Sequence, residues 1–188
     1  MACIGKLLES LAMPCDAPGQ ADLGRPVSAK LLNASDIASF TVASGSIATI
    51  TRKTGAAGQD ITAANNSLVV SVGLKSQDIM PGAYDVSITF KAFSGNYSAF
   101  SDSAPLGVVN QLGRAELVIA VDHGDMVKVY GLGAPLVCTE IAGDSSASEY
   151  ITYTYGVEDW QVGTTIHRLT KANYEALSTP QPAPEPKD

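Results

Sequence analysis

The residues best suited to chemistry sit close together at Asp122-His123-Gly124-Asp125. Two carboxylates and an imidazole within four residues are the donor types that bind a metal or share a proton. The same four residues separate two apolar runs, and Asp and Gly belong in such a turn for backbone reasons alone. The sequence therefore predicts a hairpin turn there and not a catalytic centre. Glu158 and Asp159 beside Trp160 are the residue types of a sugar-cleaving or sugar-binding site. Adjacent strand residues point to opposite faces, so this pair cannot act together from one strand, and a solvated turn is expected. Tyr150, Tyr153, Tyr155 and Trp160 resemble an aromatic strip, but alternation divides the tyrosines between two faces and sends most of them to a core.

No nucleophile elbow, zinc-protease helix motif, phosphate-binding loop or dinucleotide fingerprint occurs. No spacing suits a calcium loop. Cys3, Cys15 and Cys138 are odd in number and form no CxxC pair, which predicts reduced thiols and no disulfide framework. Together with His123 and His167 they are too scattered for a zinc site. No catalytic residue, metal or cofactor is expected.

These residues must be held by some scaffold, and the composition bounds it. The chain has 188 residues, enough for one domain with arms, and 45% of them are hydrophobic. Only 16% are charged, and the net charge is −7. That balance argues against general nucleic-acid binding through released counterions. No apolar run reaches the length of a membrane-spanning helix. The N-terminal stretch is interrupted by Lys6 and Glu9, so it reads as a short amphipathic helix, Ile4 to Leu11, and not as an export signal.

Period-two alternation recurs along the chain and marks strands. The clearest lies over Ala83 to Ala92, where Tyr84, Val86, Ile88 and Phe90 share one face. Further strands are predicted at Val27 to Leu32, Ile37 to Val42, Ser46 to Thr51, Ser67 to Leu74, Ala115 to Val121, Met126 to Tyr130, Pro135 to Thr139 and Glu149 to Val157. Trp160 to Ile166 is expected to pair with the last of these. Arg52 to Asp60 and Ile141 to Ser148 read as loops. Pro105 to Leu112 reads as a short helix, and so does Thr170 to Leu177, with Thr170 as N-cap. The sum predicts a mainly β fold, an antiparallel β-sandwich or barrel with two or three short helices. Three regions follow: an arm over 1–26, a β-rich body over 27–178 and a Pro-rich tail over 179–188. Sparsely charged strands of this kind invite pairing with another chain if they lie at an edge.

The opening Met1-Ala2-Cys3-Ile4, with Cys15-Asp16 and a following Gly, resembles tail-tube-like proteins of phages and prophage elements of Bacteroidales-type bacteria. The run Leu117 to Val121, its polar turn, the strand ending in Tyr130-Gly131-Leu132-Gly133, and the Tyr/Thr strand Tyr150 to Tyr155 are similar to that family too. The resemblance covers about half of the chain. Ala38 to Ser103 and the Pro-rich tail depart from it. It implies a virion structural subunit, assembled in the host cytoplasm, that forms rings, commonly hexameric, which stack into a tube. Its partners would be itself and other tail or virion proteins. DNA would be passing cargo with no sequence-specific contact, and no membrane would be involved. An acidic lumen would repel phosphates. Asp122, Asp125, Glu140, Asp144, Glu149, Glu158 and Asp159 form the pool for such a lumen, and Arg52 and Lys53 are candidates for a subunit contact. The same composition also suits a tail terminator, head-tail connector or decoration protein, or a cell-surface binding sandwich.

Overall fold

In the computed structural model, the described residues are 26–43, 47–61, 67–74, 84–93, 112–143, 150–157 and 164–183. Eleven strands form among them: β1 Ser28–Asn33, β2 Ile37–Ala43, β3 Ile47–Arg52, β4 Gln59–Ile61, β5 Val69–Leu74, β6 Tyr84–Phe93, β7 Leu117–Asp122, β8 Val127–Leu132, β9 Val137–Gly143, β10 Tyr150–Gly156 and β11 Thr165–Leu169. A 3-10 turn spans Ala34–Asp36, the α-helix α1 spans Lys171–Ala176, and residues 112–114 are also helical. Thr170 caps α1 as expected, its hydroxyl accepting the Asn173 amide at 3.2 Å.

The strands divide into two sheets. One has the order β2-β3-β11-β8-β7-β1-β4, the other β5-β6-β10-β9. Neighbours run antiparallel except β11 and β3, which meet in parallel through the Arg168↔Ile47 bridge. The larger sheet is thus mixed, and the fold is a two-sheet β-sandwich with α1 on its far side.

Alternation explains this layering. In β1, Ala29 and Leu31 face the smaller sheet and share a core with Ile119, Tyr130, Val86, Ile88, Phe90, Tyr153 and Tyr155. Leu32, on the other parity, faces outward with Val118, Ala120, Val127, Val129 and Leu169, and Tyr174 and Leu177 of the C-terminal region cover them. Strand β7 is buried along all six residues because it has a core on each face. Removing each large apolar side chain from water contributes about 1.5–3 kcal/mol. Phe90 lies between Tyr153 and Tyr155, with ring centroids at 5.5 and 5.9 Å. The tyrosines expected in a core are therefore found there.

Several expectations need correction. The strand anticipated at Trp160 to Ile166 begins at Thr165 and joins β8 in the larger sheet, not β10. The loop anticipated over Arg52 to Asp60 is bounded by β3, which includes Arg52, and by β4, which includes Asp60. Residues Ile141 to Gly143 continue β9 instead of opening a loop. Val72 is 47% exposed, so β5 presents only part of its apolar parity inward. The start of the Pro-rich tail is fastened to the body: Gln181 and the 55–56 backbone exchange hydrogen bonds at 2.9 and 3.0 Å. The expected helices at Ile4 to Leu11 and Pro105 to Leu112 lie wholly or mostly outside the described residues, as does the 1–26 arm except its last residue.

Candidate functional site

The Asp122-His123-Asp125 group forms the turn that the spacing predicts, with the His123 amide donating to the Met126 carbonyl at 2.9 Å. Its side chains go three separate ways. Asp122 is 4% exposed; one oxygen accepts the Gly124 amide at 2.9 Å and the other pairs with Lys171 on α1. His123 is buried and its Nε2 lies 3.3 Å from the Tyr130 hydroxyl. Burial pushes the Tyr130 phenol up to about 12. Asp125 is exposed. The two carboxylates do not converge, and Asp122, buried and paired, presents no charge to a lumen.

Arg52 also departs from its expected surface role. It is 7% exposed, and its guanidinium donates to the carbonyls of Ala176 (3.0 Å), Leu177 (2.5 Å), Thr179 (2.8 Å) and Ala56 (3.2 Å). A planar fork with five donors suits several carbonyls at the end of a helix, where free C=O groups collect. Burial lowers the Arg52 pKa from its ordinary value. Parity was the available signal: Arg52 shares its face of β3 with Ala48 and Ile50, which pack in the outer core. Its neighbour Lys53 is exposed.

Beside Arg52 lies a second polar group. Lys30 is 7% exposed and donates to Asp60 and to the Ser178 hydroxyl, which in turn lies 2.9 Å from the other Asp60 oxygen. The hydrogen bond from Lys30 holds the Asp60 carboxyl below its usual range. Lys30 also stands 4.9 Å from the Tyr174 ring centroid, and the Tyr174 hydroxyl meets Ser28 at 2.8 Å. Together with Arg52 and the Lys171–Asp122 pair, these contacts bind the C-terminal segment to the sheet.

Among the described residues, the β2–β3 hairpin presents an open sheet edge with exposed apolar side chains. β2 is the edge of the larger sheet, and six of its seven residues are exposed. Its sequence, IASFTVA, contains no charge and no proline. Natural edge strands are usually blunted by such residues. Phe40, Val42 and Ile47 are 39%, 44% and 39% exposed on this hairpin. His167, whose pKa is lowered by burial, supports it from β11, with its ring centroid 6.5 Å from that of Phe40. A concavity of about 420 Å³ opens beside β2, lined by Ile37, Phe40, Val118, Leu132 and Pro135 among others. Its lining carries no titratable side chain, so it offers apolar shape and no acid or base.

Of the remaining acidic pool, Glu140 is exposed on β9, and Asp144, Glu149, Glu158 and Asp159 lie outside the described residues, as does Trp160. Among the described residues, no three His, Cys, Asp or Glu side chains gather as a metal site. No described helix is long and apolar enough to cross a membrane. The chain matches no protein-family model, no curated protein and no solved structure.

Proposed function

We propose that the chain is a structural subunit that assembles with copies of itself through open sheet edges, forming rings that stack into a tail-tube-like conduit. The observation that carries this reading is β2: an uncharged, seven-residue edge strand, exposed on both faces from Ala38 onward. Its outer backbone edge and its Ser/Thr and apolar faces suit strand addition from another chain. Val69 and Val72 on β5, an edge of the smaller sheet, are likewise half exposed and uncharged. A net charge of −7, with Asp125 at the surface, suits a wall past which DNA slides without adhering. Ring number and stacking follow the resemblance to tail-tube-like proteins.

Negative-stain electron microscopy with light-scattering mass tests the reading. Rings or tubes with a central hole are expected. Single rings that never stack would favour a terminator or connector. A 19.5 kDa species at every concentration, with β2 amides exchanging as freely as unpaired backbone, would remove the basis for self-assembly.

A further inference from the structure

The larger sheet is wider than the sheet packed on it. β8, β7 and β1 supply Tyr130, Ile119 and Leu31 to the shared core, whereas no residue of β2 or β3 joins it. On that side the hairpin forms an open ledge with Ser39, Thr41, Thr49 and Thr51 exposed. At its inner border, Lys128 of β8 stands directly opposite Arg168 of β11. Val127, Val129 and Leu169 turn into the outer core, so alternation turns Lys128 and Arg168 toward the ledge. Two cations in register repel each other. Neither side chain forms an ion pair or hydrogen bond with another described residue.

With no acidic partner among the described residues, the two cations make the ledge locally basic on a chain of net charge −7. Two copies of such a chain repel overall, so a stable contact needs opposite charges brought together locally. The outer face of the smaller sheet provides a match. Ile151, Tyr153 and Tyr155 turn into the core, which leaves Thr152 and Thr154 outward, and Glu140 pairs in register with Thr154. Glu140 is exposed, and Thr89 joins Thr154 on the same face through hydroxyls 3.2 Å apart. A hydroxyl-bearing surface with a carboxylate thus faces outward on one side of the molecule, and a hydroxyl-bearing ledge with two cations lies on another.

We infer that the ledge is a docking face for a second copy of this chain, whose Glu140 carboxylate enters between Lys128 and Arg168. This rests on the self-assembly reading above and moves Glu140 from the lumen pool to a subunit contact. The two patches differ, so the contact is head-to-tail and propagates into a ring or an open string.

The test uses the full chain in sedimentation velocity and electron microscopy at low and high salt. Charge reversal, K128E/R168E, should weaken self-association by about tenfold or more, and E140K alone should do the same. An equimolar mixture of the two variants should recover association, because each supplies the charge that the other reversed. Added salt should weaken the wild-type contact. Circular dichroism melts confirm that each variant folds, and K128Q/R168Q replaces the reversal if it does not. Unchanged assembly in K128E/R168E would overturn this inference and leave self-assembly through β2 intact. Loss without recovery in the mixture would overturn Glu140 as the partner. A wild type that never associates would remove both.

Discussion

Arg52 donates to the Leu177 carbonyl at 2.5 Å across 125 positions of sequence. One guanidinium thereby joins the end of β3 to the end of α1, and the same group reaches Ala176, Thr179 and Ala56. The C-terminal segment is held by a polar hub and not by apolar contact alone.

Arg52→Ala should leave several buried carbonyls without a donor and destabilise the fold by about 3 kcal/mol. Arg52→Lys should recover little, since a point charge cannot span four carbonyls in a plane. Urea titrations of the three proteins check this. An Arg52→Ala midpoint equal to wild type would mean that the hub is ornamental.

The Asp60 carboxyl, held low by Lys30, gives a pH dependence of defined sign. Its folded pKa is depressed, so its stabilisation is complete at neutral pH. That stabilisation is lost as pH falls from the ordinary carboxyl range, about 4, through the lower folded value. The Asp60 side chain is 62% exposed, so solvent screening limits the effect to about 1 kcal/mol or less. Stability measured from neutral to strongly acidic pH should fall less steeply for Asp60→Asn than for wild type. Parallel curves would exclude the Lys30 bond as the source.

Gly131 and Gly55 separate backbone strain from steric conflict. Both have positive φ, +89° and +79°. A Cβ at Gly131 would lie 2.9 Å from the Leu117 carbonyl oxygen, whereas one at Gly55 would meet nothing within 4 Å. Gly55→Ala should cost about 1–2 kcal/mol from conformation alone. Gly131→Ala should cost clearly more, because β7 must also shift. Equal losses in thermal denaturation would show that the close approach relaxes freely.

Val42→Lys places a charge on the open edge, one residue before the end of β2. The folded monomer should keep its circular dichroism spectrum, since Val42 is already 44% exposed, while assembly through β2 should fail. Electron microscopy after purification decides it. Wild-type rings from Val42→Lys would move the assembly edge elsewhere.

Much of the architecture was legible because alternation is a local property. Tyr84, Val86, Ile88 and Phe90 announce one buried face wherever the strand ends up. Which sheet a strand joins is not local. β11 lies next to β10 in sequence yet pairs with β8, since its Leu169 parity fits the outer core. The fates of Asp122 and Arg52 were illegible for the same reason. Asp122 reads as a turn residue, and only the position of α1 brings Lys171 to it. Arg52 reads as half of a basic pair, and only the return of 176–179 supplies its acceptors. The sparse charge of the strands was legible in composition, as IASFTVA shows, but which strand ends a sheet was not.

β11 lies between β3 and β8, inside the larger sheet, although it is the last strand of the described chain. During synthesis, the β2–β3 hairpin and the β7–β8 hairpin can each form before β11, tethered by β1, which pairs with β7 and leads through 34–36 into β2, but β3 and β8 stay unpaired along their facing edges until residues 165–169 arrive. Both therefore wait with open edges, the state most prone to premature association. Insertion of β11 closes the gap between β3 and β8 and leaves β2 as the edge of the sheet on that side.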